Sequence, residues 1–163
     1  MDNINDNKHN CTTLCYIEKD DSYLMLHRVK KEKDINKDKW IGVGGKFLPG
    51  EAPEECLFRE VQEETGLTLT QWQSRGIVTF TDDTGYCEYM HLFTADGFEG
   101  QLKACDEGDL QWVSRNDISK LAQWEGDKLF LQKLWDNSPF FLMHLHYSGE
   151  ALTSATCNGK NIL

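Results

Sequence analysis

The segment from Gly45 to Leu67, GKFLPGEAPEECLFREVQEETGL, constrains the fold of this chain most, because it carries the signals of one amphipathic helix. Pro53 suits the first helical turn, where its missing N–H has no intrahelical partner. Gly66 suits the left-handed conformation that ends a helix. The sequence therefore predicts a helix between these two residues, entered from a glycine-rich loop. Its apolar residues are expected to form a buried stripe: Leu57, Phe58 and Val61.

Three glutamates lie close together on this predicted helix: Glu60, Glu63 and Glu64. At about 100° per residue, all three project from one face. Like charges this close repel and raise one another's pKa unless something neutralises them. Because Mg²⁺ takes oxygen ligands and shares its shell with water and phosphates, the spacing predicts a metal-assisted phosphate chemistry.

The spacing in this segment resembles the Nudix box, G-x5-E-x7-R-E-U-x-E-E-x-G-U, in which U is an apolar residue. Every fixed position of the box is filled: Gly45, Glu51, Arg59, Glu60, Val61, Glu63, Glu64, Gly66 and Leu67. A solvated acidic helix is the alternative interpretation, but it would not require all these residues at fixed spacing. The resemblance implies the α/β/α sandwich of the Nudix fold, with a mixed β-sheet flanked by helices.

The resemblance also implies a site for Mg²⁺, or for Mn²⁺, as the cofactor. Its implied ligands are the box carboxylates and one backbone carbonyl of the glycine loop: Glu60, Glu63, Glu64 and Gly44. Arg59 resembles the residue that orients these acids by ion pairing, while Glu51 is similar to a box glutamate with a structural part. The family hydrolyses a nucleoside diphosphate linked to another moiety, and the metal neutralises phosphate charge and lowers the pKa of bound water.

Glu107 is a further candidate outside the box. It lies in Asp106-Glu107-Gly108-Asp109, just before a predicted strand. There it resembles a Nudix loop glutamate that ligates the metal or acts as general base, with Asp106 and Asp109 as competitors for the role. The expected catalytic residues are therefore Arg59, Glu63 and Glu107, and the general base stays open between the two glutamates.

Two further segments resemble the MutT-type branch, which removes oxidised purine nucleotides. Residues 40–46 read WIGVGGK, similar to the W-N-G-F-G-G-K entry of that branch, and residues 124–127 read WEGD, similar to a W-x-D-D loop. By this resemblance Phe80 and Trp124 stack on the base and Asp127 reads its edge. Arg28 and Lys46 are candidates for contacts with phosphate.

The implied reaction converts a nucleoside triphosphate into a nucleoside monophosphate and pyrophosphate, with 8-oxo-dGTP as the leading substrate and a role in DNA repair. Two positions depart from the branch: Ile41 replaces an asparagine that reads the base, and Gly126 replaces an aspartate. The alternatives are therefore another Nudix substrate, such as CTP, ADP-ribose or a dinucleoside polyphosphate. A catalytically silent module that binds a nucleotide and regulates a partner is a further alternative.

Composition limits the classes of partner. The net charge of −10 argues against broad affinity for nucleic acid, since a polyanion is repelled unless basic residues cluster. The six cysteines include no C-x-x-C pair and indicate reduced thiols, as in a cytoplasmic protein. The sequence shows no long apolar run for a membrane span. A small-molecule nucleotide is the expected partner of a monomer or homodimer.

The remaining sequence predicts the order of elements. Residues 1–10 are polar and are expected to form a flexible N-terminal segment, and residues 11–163 a single domain. Apolar runs at residues 12–18 and 23–29 predict a hairpin, followed by a charged, mostly solvated loop over residues 30–39. Residues 68–81 and 87–96 predict two long antiparallel strands. A short strand, two helices and C-terminal strands are expected to follow.

Overall fold

The fold of residues 9–163 is described by a computed structural model, and residues 1–8 lie outside the described part. Most of the predicted flexible segment therefore lies outside the described residues, but its last two residues belong to a strand. The described residues form nine strands: β1 (His9–Lys19), β2 (Ser22–His27), β3 (Trp40–Ile41), β4 (Thr68–Asp82), β5 (Cys87–Glu99), β6 (Asp109–Ser114), β7 (Phe141–Ser148), β8 (Ala151–Cys157) and β9 (Lys160–Asn161). They also form three helices: α1 (Pro53–Thr65), α2 (Arg115–Ile118) and α3 (Glu125–Trp135).

The strands form one mixed sheet in the order β3-β2-β1-β5-β4-β7-β8-β9, with β6 paired to β2. β1 pairs with β5 in parallel, as does β4 with β7, and the other pairs are antiparallel. The predicted hairpin is confirmed as β1 and β2, joined at Asp20 and Asp21, whose positive φ angles of 50° and 60° suit a tight hairpin turn. The predicted long pair is confirmed as β4 and β5.

Helices pack on both faces of the sheet. Helix α1 covers a core that includes Cys15, Ile17 and Phe93, whereas α3 buries Phe130 and Leu131 in a second core on the other face. Each core contains side chains from alternate positions of β1 and β5, as expected for strands that are buried on both sides. The predicted α/β fold with a mixed sheet and flanking helices is confirmed. No helix among residues 9–163 is long and apolar enough to cross a bilayer.

Helix α1 begins and ends where its sequence predicts. Pro53 is its first residue, and Gly66 follows its last turn with a φ of 78°. Leu57 and Val61 are fully buried, but Phe58 is 37% exposed, so its assignment to the buried stripe is wrong. Phe58 instead packs edge-on against Trp72 of β4, with ring centroids 4.6 Å apart, because both rings lie beside the helix rather than beneath it.

The loop over residues 30–39 is less solvated than its charge suggests. Lys31 to Lys33 are exposed, but the side chain of Asp34 is only 5% exposed and accepts a hydrogen bond from Arg28 Nε at 2.7 Å. The backbone N–H of Arg28 also donates to the carbonyl of Lys39. These contacts hold the second half of the loop against the end of β2, where the loop lines a cavity that is described below.

Candidate active site

The glycine loop and α1 meet through two of the predicted carboxylates. The N–H of Gly44 donates to Glu64 Oε2 at 3.0 Å. A Cβ on Gly45 would lie only 2.5 Å from Glu60 Cδ, so this position must be glycine for the Glu60 carboxylate to approach the loop. The box glycine and the box glutamates are therefore in direct contact, although 15 or more residues separate them along the chain.

Arg59 holds the acids of the box in place. Its Nε and Nη2 donate to the two oxygens of Glu51 at 2.8 and 2.9 Å, while Nη1 donates to Glu60 Oε1 at 2.8 Å. Nη2 also donates to the carbonyl of Lys46 at 2.9 Å. Hydrogen bonds from Arg59 lower the pKa of Glu51 to about 2. Arg59 thus fixes the Glu60 carboxylate against both the loop and Glu51.

Glu63 lies apart from Glu60 and Glu64, although its position on the helix predicts that all three carboxylates lie together. Its side chain is 60% exposed, against 15% for Glu60, and its Oε2 accepts a hydrogen bond from Arg59 Nη1 at 3.2 Å. The predicted i,i+4 pair is therefore present, but Glu63 lies at the rim. Glu60 and Glu64 are the helix carboxylates that project inwards.

Glu107 joins Glu64 from the loop before β6. Arg28 Nη1 donates to Glu107 Oε2 at 2.6 Å and Lys31 Nζ to Oε1 at 3.1 Å. Burial and a hydrogen bond with Glu107 raise the pKa of Glu64 to about 9. Burial alone would also raise the pKa of Glu107, but hydrogen bonds from Lys31 and Glu64 and the charge of Arg28 lower it. Glu64 is therefore the carboxyl of this pair that keeps a proton, because burial and the neighbouring Glu107 disfavour its charge, whereas Arg28 and Lys31 stabilise the charge of Glu107.

This donor set fits a divalent cation. Glu60, Glu64 and Glu107 supply only oxygen, as Mg²⁺ requires, and a cation beside Glu64 would offset the burial and the repulsion from Glu107 that raise the pKa of Glu64. Among the side chains of residues 10–163, no group of three or more His, Cys, Asp or Glu is arranged to hold a metal ion by itself. Mg²⁺ does not need such a group, because it is commonly held by one or two carboxylates together with water and substrate phosphates.

A cavity of about 460 Å³ connects these acids with an aromatic region. Its wall at one end, the carboxylate end, contains Glu60 and Glu107, with Glu64 directly behind them. At the other end, the aromatic end, it contains Phe80, Trp124 and Asp127. Of the other predicted site residues, the cavity wall includes three: Arg28, Gly44 and Lys46. Arg59 and Glu63 are not part of the wall.

Trp124 is held from three sides at the aromatic end. Its Nε1 donates to Asn36 Oδ1 at 2.8 Å, and Tyr147 packs edge-on with ring centroids 5.4 Å apart. The ammonium of Lys39 lies 4.4 Å from the ring centroid, which is a cation–π distance. The loop over residues 30–39 therefore fixes the orientation of the tryptophan that the sequence predicts to bind the base.

Asp127 is a buried acid beside this tryptophan, at 5% exposure. Burial, and then the charge of Glu88, raise its pKa to about 8, although the charge of Lys39 opposes the shift. Glu88 in turn accepts hydrogen bonds from Thr12 Oγ1 at 3.0 Å and Tyr86 Oη at 2.6 Å. At neutral pH Asp127 therefore retains its proton and presents both a donor and an acceptor to the cavity.

Gly126, which stands where the MutT-type loop has an aspartate, leaves no space for a side chain. Tyr147 Oη accepts a hydrogen bond from the Gly126 N–H at 2.8 Å, and a Cβ on Gly126 would lie 2.6 Å from that oxygen. The tyrosine hydroxyl thus occupies the space that a side chain at this position would need. The functional group next to Asp127 comes from β7 instead of from α3.

The comparisons with known proteins agree with this geometry. Residues 8–134 match the family model described as the NUDIX domain. This chain belongs to the Nudix family. It is accordingly a Nudix pyrophosphohydrolase, with the MutT-like fold that its sequence predicts.

This Nudix chain is similar to two proteins and to one solved structure, whose names differ in how closely they define a substrate. It is 34% identical over 120 residues to the Nudix hydrolase YvcI of Bacillus subtilis, covering 71% of this chain and 72% of that protein. It is 33% identical over 112 residues to an oxidized purine nucleoside triphosphate hydrolase of Danio rerio, covering 68% of this chain and 71% of that one. The crystal structure of a MutT protein from Bacillus halodurans superposes with a TM-score of 0.81 at 26% identity, covering 91% of this chain and 97% of that chain.

Several residues of the site are not predicted by the sequence. Asn36 and Lys39 belong to a run whose charge indicates only solvation, and Glu88 lies in a strand without a motif. Tyr147 stands in the C-terminal strand, where alternation predicts its burial but not its hydrogen bond to Gly126. These residues act on Trp124 and Asp127 across the cavity, and contacts of this kind leave no local signal in the sequence.

Proposed function

We propose that this enzyme hydrolyses nucleoside triphosphates to a nucleoside monophosphate and pyrophosphate with Mg²⁺, and that oxidised purine nucleotides such as 8-oxo-dGTP are its preferred substrates. The observation that carries the proposal is the single cavity in which a carboxylate end meets an aromatic end. A nucleotide has the same two halves, an anionic phosphate chain and a planar base. Mn²⁺ is the alternative cofactor.

At the carboxylate end, Glu60, Glu64, Glu107 and the carbonyl of Gly44 would hold the cation, which neutralises phosphate charge and acidifies bound water. Arg59 positions Glu60, to which its Nη1 donates at 2.8 Å. General base is the alternative role of Glu107, for which it is favoured over Glu63 because it lines the cavity whereas Glu63 extends from the rim. Glu63 is then left to hold water at the entrance. A water activated in this way would attack phosphorus in line with the leaving pyrophosphate.

At the aromatic end, Phe80 and Trp124 would supply stacking surface and Asp127 hydrogen bonds to the base edge. A carboxyl that retains its proton to about pH 8 can donate to a base oxygen or nitrogen and accept from a base N–H. Lys46, in the cavity wall, is the candidate for a phosphate contact. Arg28 is the weaker candidate, since two carboxylates already share its guanidinium at 2.7 and 2.6 Å.

A second candidate function is hydrolysis of unmodified nucleoside triphosphates. Ile41 offers no hydrogen bond to a base, and the chain is 28% identical over 134 residues to a protein named nucleoside triphosphatase NudI from an Enterobacter species. A silent nucleotide-binding module is disfavoured, because every box acid is retained. With a small nucleotide as substrate and a net charge of −10, a cytoplasmic role in nucleotide sanitation, as monomer or homodimer, completes the proposal.

Hydrolysis of 8-oxo-dGTP in ¹⁸O-labelled water tests the reaction itself. We expect turnover with Mg²⁺ and none with a chelator, pyrophosphate as the product, and the label in the nucleoside monophosphate, since attack is proposed at the α-phosphorus. Release of orthophosphate would contradict the proposed cleavage site. Nucleotide binding without turnover would favour the silent module.

A further inference from the structure

Two histidines lie together outside the active site, on the solvent-accessible side of β7. His144 and His146 alternate with Leu145 and Tyr147, which are buried beneath α3. Since successive side chains of a strand point to opposite faces, both histidines lie on the sheet face away from that core. His144 is exposed, and the side chain of His146 is 31% exposed, so a solute can reach both rings.

The two rings converge on one atom. His144 Nε2 lies 2.8 Å from Thr81 Oγ1, and His146 Nδ1 lies 2.7 Å from the same oxygen. Thr81 stands on β4, directly opposite His146 in the parallel β4–β7 pair. The Thr81 hydroxyl can donate to one of these nitrogens while the other ring donates its N–H to the same oxygen, so two imidazole nitrogens converge on one hydroxyl.

The ring of His146 is oriented by an acid on its far side. His146 Nε2 lies 2.9 Å from Asp83 Oδ1, in the turn between β4 and β5. A carboxylate at this nitrogen favours the tautomer that carries its proton on Nε2, which leaves the Nδ1 lone pair to accept from the Thr81 hydroxyl or to bind a metal ion that displaces this hydroxyl. Carboxylates hold metal-binding histidines in this way, by fixing both the tautomer and the ring orientation.

We propose that His144 and His146 form a second metal site, which binds a transition-metal ion such as Zn²⁺ through His144 Nε2 and His146 Nδ1. Imidazole nitrogen suits Zn²⁺, Ni²⁺ and Cu²⁺, whereas Mg²⁺ requires oxygen, so the chemistry of this site differs from that of the carboxylate end. Because no third His, Cys, Asp or Glu side chain completes a cluster among residues 10–163, water would fill the remaining positions. Asp83 is the positioning residue of the site.

Such an ion would be held by two residues of β7, beside Thr81 of β4 and near the β4–β5 turn. A ligand that binds only the folded state stabilises it by mass action. The site therefore couples the stability of the folded protein to the concentration of free transition metal. This role is independent of the proposed hydrolysis.

Titration calorimetry with Zn²⁺ in excess Mg²⁺ tests the site on the full-length protein. We expect one Zn²⁺ per chain, with an affinity that falls at least about tenfold in His144→Asn and in His146→Asn. Asp83→Asn should lower the affinity for Zn²⁺ about tenfold to a hundredfold, as is usual for the partner of a metal-binding histidine. In ¹⁵N-labelled protein, the resonances that move on Zn²⁺ addition should be Nε2 of His144 and Nδ1 of His146.

Three matched controls make the result decisive. His91→Asn changes a histidine of the same sheet face whose ring packs on Phe47, and it should leave the affinity unchanged. Glu60→Gln tests binding at the carboxylate end, and the double variant Cys11→Ser, Cys87→Ser tests the two cysteines that are not buried. Loss of Zn²⁺ binding in any of these controls would overturn the proposal, as would unchanged affinity in the His144→Asn variant, an exposed substitution that the fold should tolerate.

Discussion

The carboxylate end of the cavity takes most of its groups from one helix and the loop before it, whereas the aromatic end is assembled from separate parts of the chain. Glu60, Glu64 and Gly44 lie within 21 residues, and only Glu107 comes from elsewhere. At the aromatic end, Phe80 comes from β4, Trp124 and Asp127 from the start of α3, and their supports from β5, β7 and the loop over residues 30–39.

This difference has a chemical reason. Phosphate and a hard cation require charge at a fixed spacing, and one helical turn provides it. Recognition of a base requires a shaped surface with a few hydrogen bonds, which only a tertiary arrangement can provide. The reaction can therefore be inferred from a short motif, but the choice of substrate depends on contacts such as those from Asn36 and Lys39 to Trp124.

The largest effect is expected at the carboxylate end. Glu60→Gln removes an inward carboxylate while it keeps the shape, and kcat should fall about 10²–10³-fold, as for loss of one preorganised electrostatic group. Glu63→Gln is the matched control on the same helix, and its kcat should fall less because the Glu63 side chain is 60% exposed at the rim. Steady-state kinetics with saturating Mg²⁺ measure both. A greater loss in Glu63→Gln would reverse the assignment of inner and outer acids.

At the aromatic end, Asp127 makes stability depend on pH. Its pKa is about 8 in the folded protein but about 3.8 when unfolded, so the unfolded state releases the proton first and stability falls as pH rises between these values. Between pH 5 and pH 7 the ionisation of this single group should lower the free energy of unfolding by about 3 kcal/mol, and Asp127→Asn should remove that loss. Urea unfolding of both proteins at the two pH values measures it.

Asp136→Asn is the control for that experiment, since it changes an exposed aspartate at the end of the same helix. Its pH dependence should match that of the unmodified protein. If Asp127→Asn retained the full loss of stability between pH 5 and pH 7, Asp127 would be ionised in the folded protein. It could then not donate a hydrogen bond to a base.

A smaller effect is expected from the predicted stacking residue. Trp124→Ala should raise KM for purine nucleotides about tenfold or more with a smaller change in kcat, because stacking of a base on an aromatic ring contributes about 1–3 kcal/mol. Trp72→Ala is the control, since that tryptophan packs on Phe58 and lies outside the cavity wall. An unchanged KM in Trp124→Ala would reduce Trp124 to a packing residue between Lys39 and Tyr147.

The smallest effect concerns the residue that orients the acids. Arg59→Lys keeps the charge but cannot donate to both oxygens of Glu51 and to Glu60 at once. We expect kcat to fall about tenfold, or about 1.4 kcal/mol, with KM nearly unchanged. A rise in KM without a change in kcat would mean that Arg59 contacts substrate directly.

The sequence predicts the carboxylate end well, because its signals are local. Pro53 and Gly66 bound α1 as expected, and the glycine loop meets Glu60 and Glu64. Tertiary contacts decide what the sequence does not: helical spacing alone buries Phe58, which the structure exposes, and it does not distinguish Glu63 at the rim from the inner acids. Ion pairing with Arg59 directs Glu63 to the rim, and Trp72 provides a surface for Phe58 outside the core.

The most direct test of the account is a comparison of kcat/KM with Mg²⁺ for 8-oxo-dGTP, dGTP, CTP, ADP-ribose and a diadenosine polyphosphate. If the aromatic end selects oxidised purines despite Ile41 and Gly126, 8-oxo-dGTP should be preferred over dGTP by at least about a hundredfold, or about 2.7 kcal/mol. A flat profile, or preference for another nucleotide, would retain the chemistry of the carboxylate end and contradict the proposed substrate.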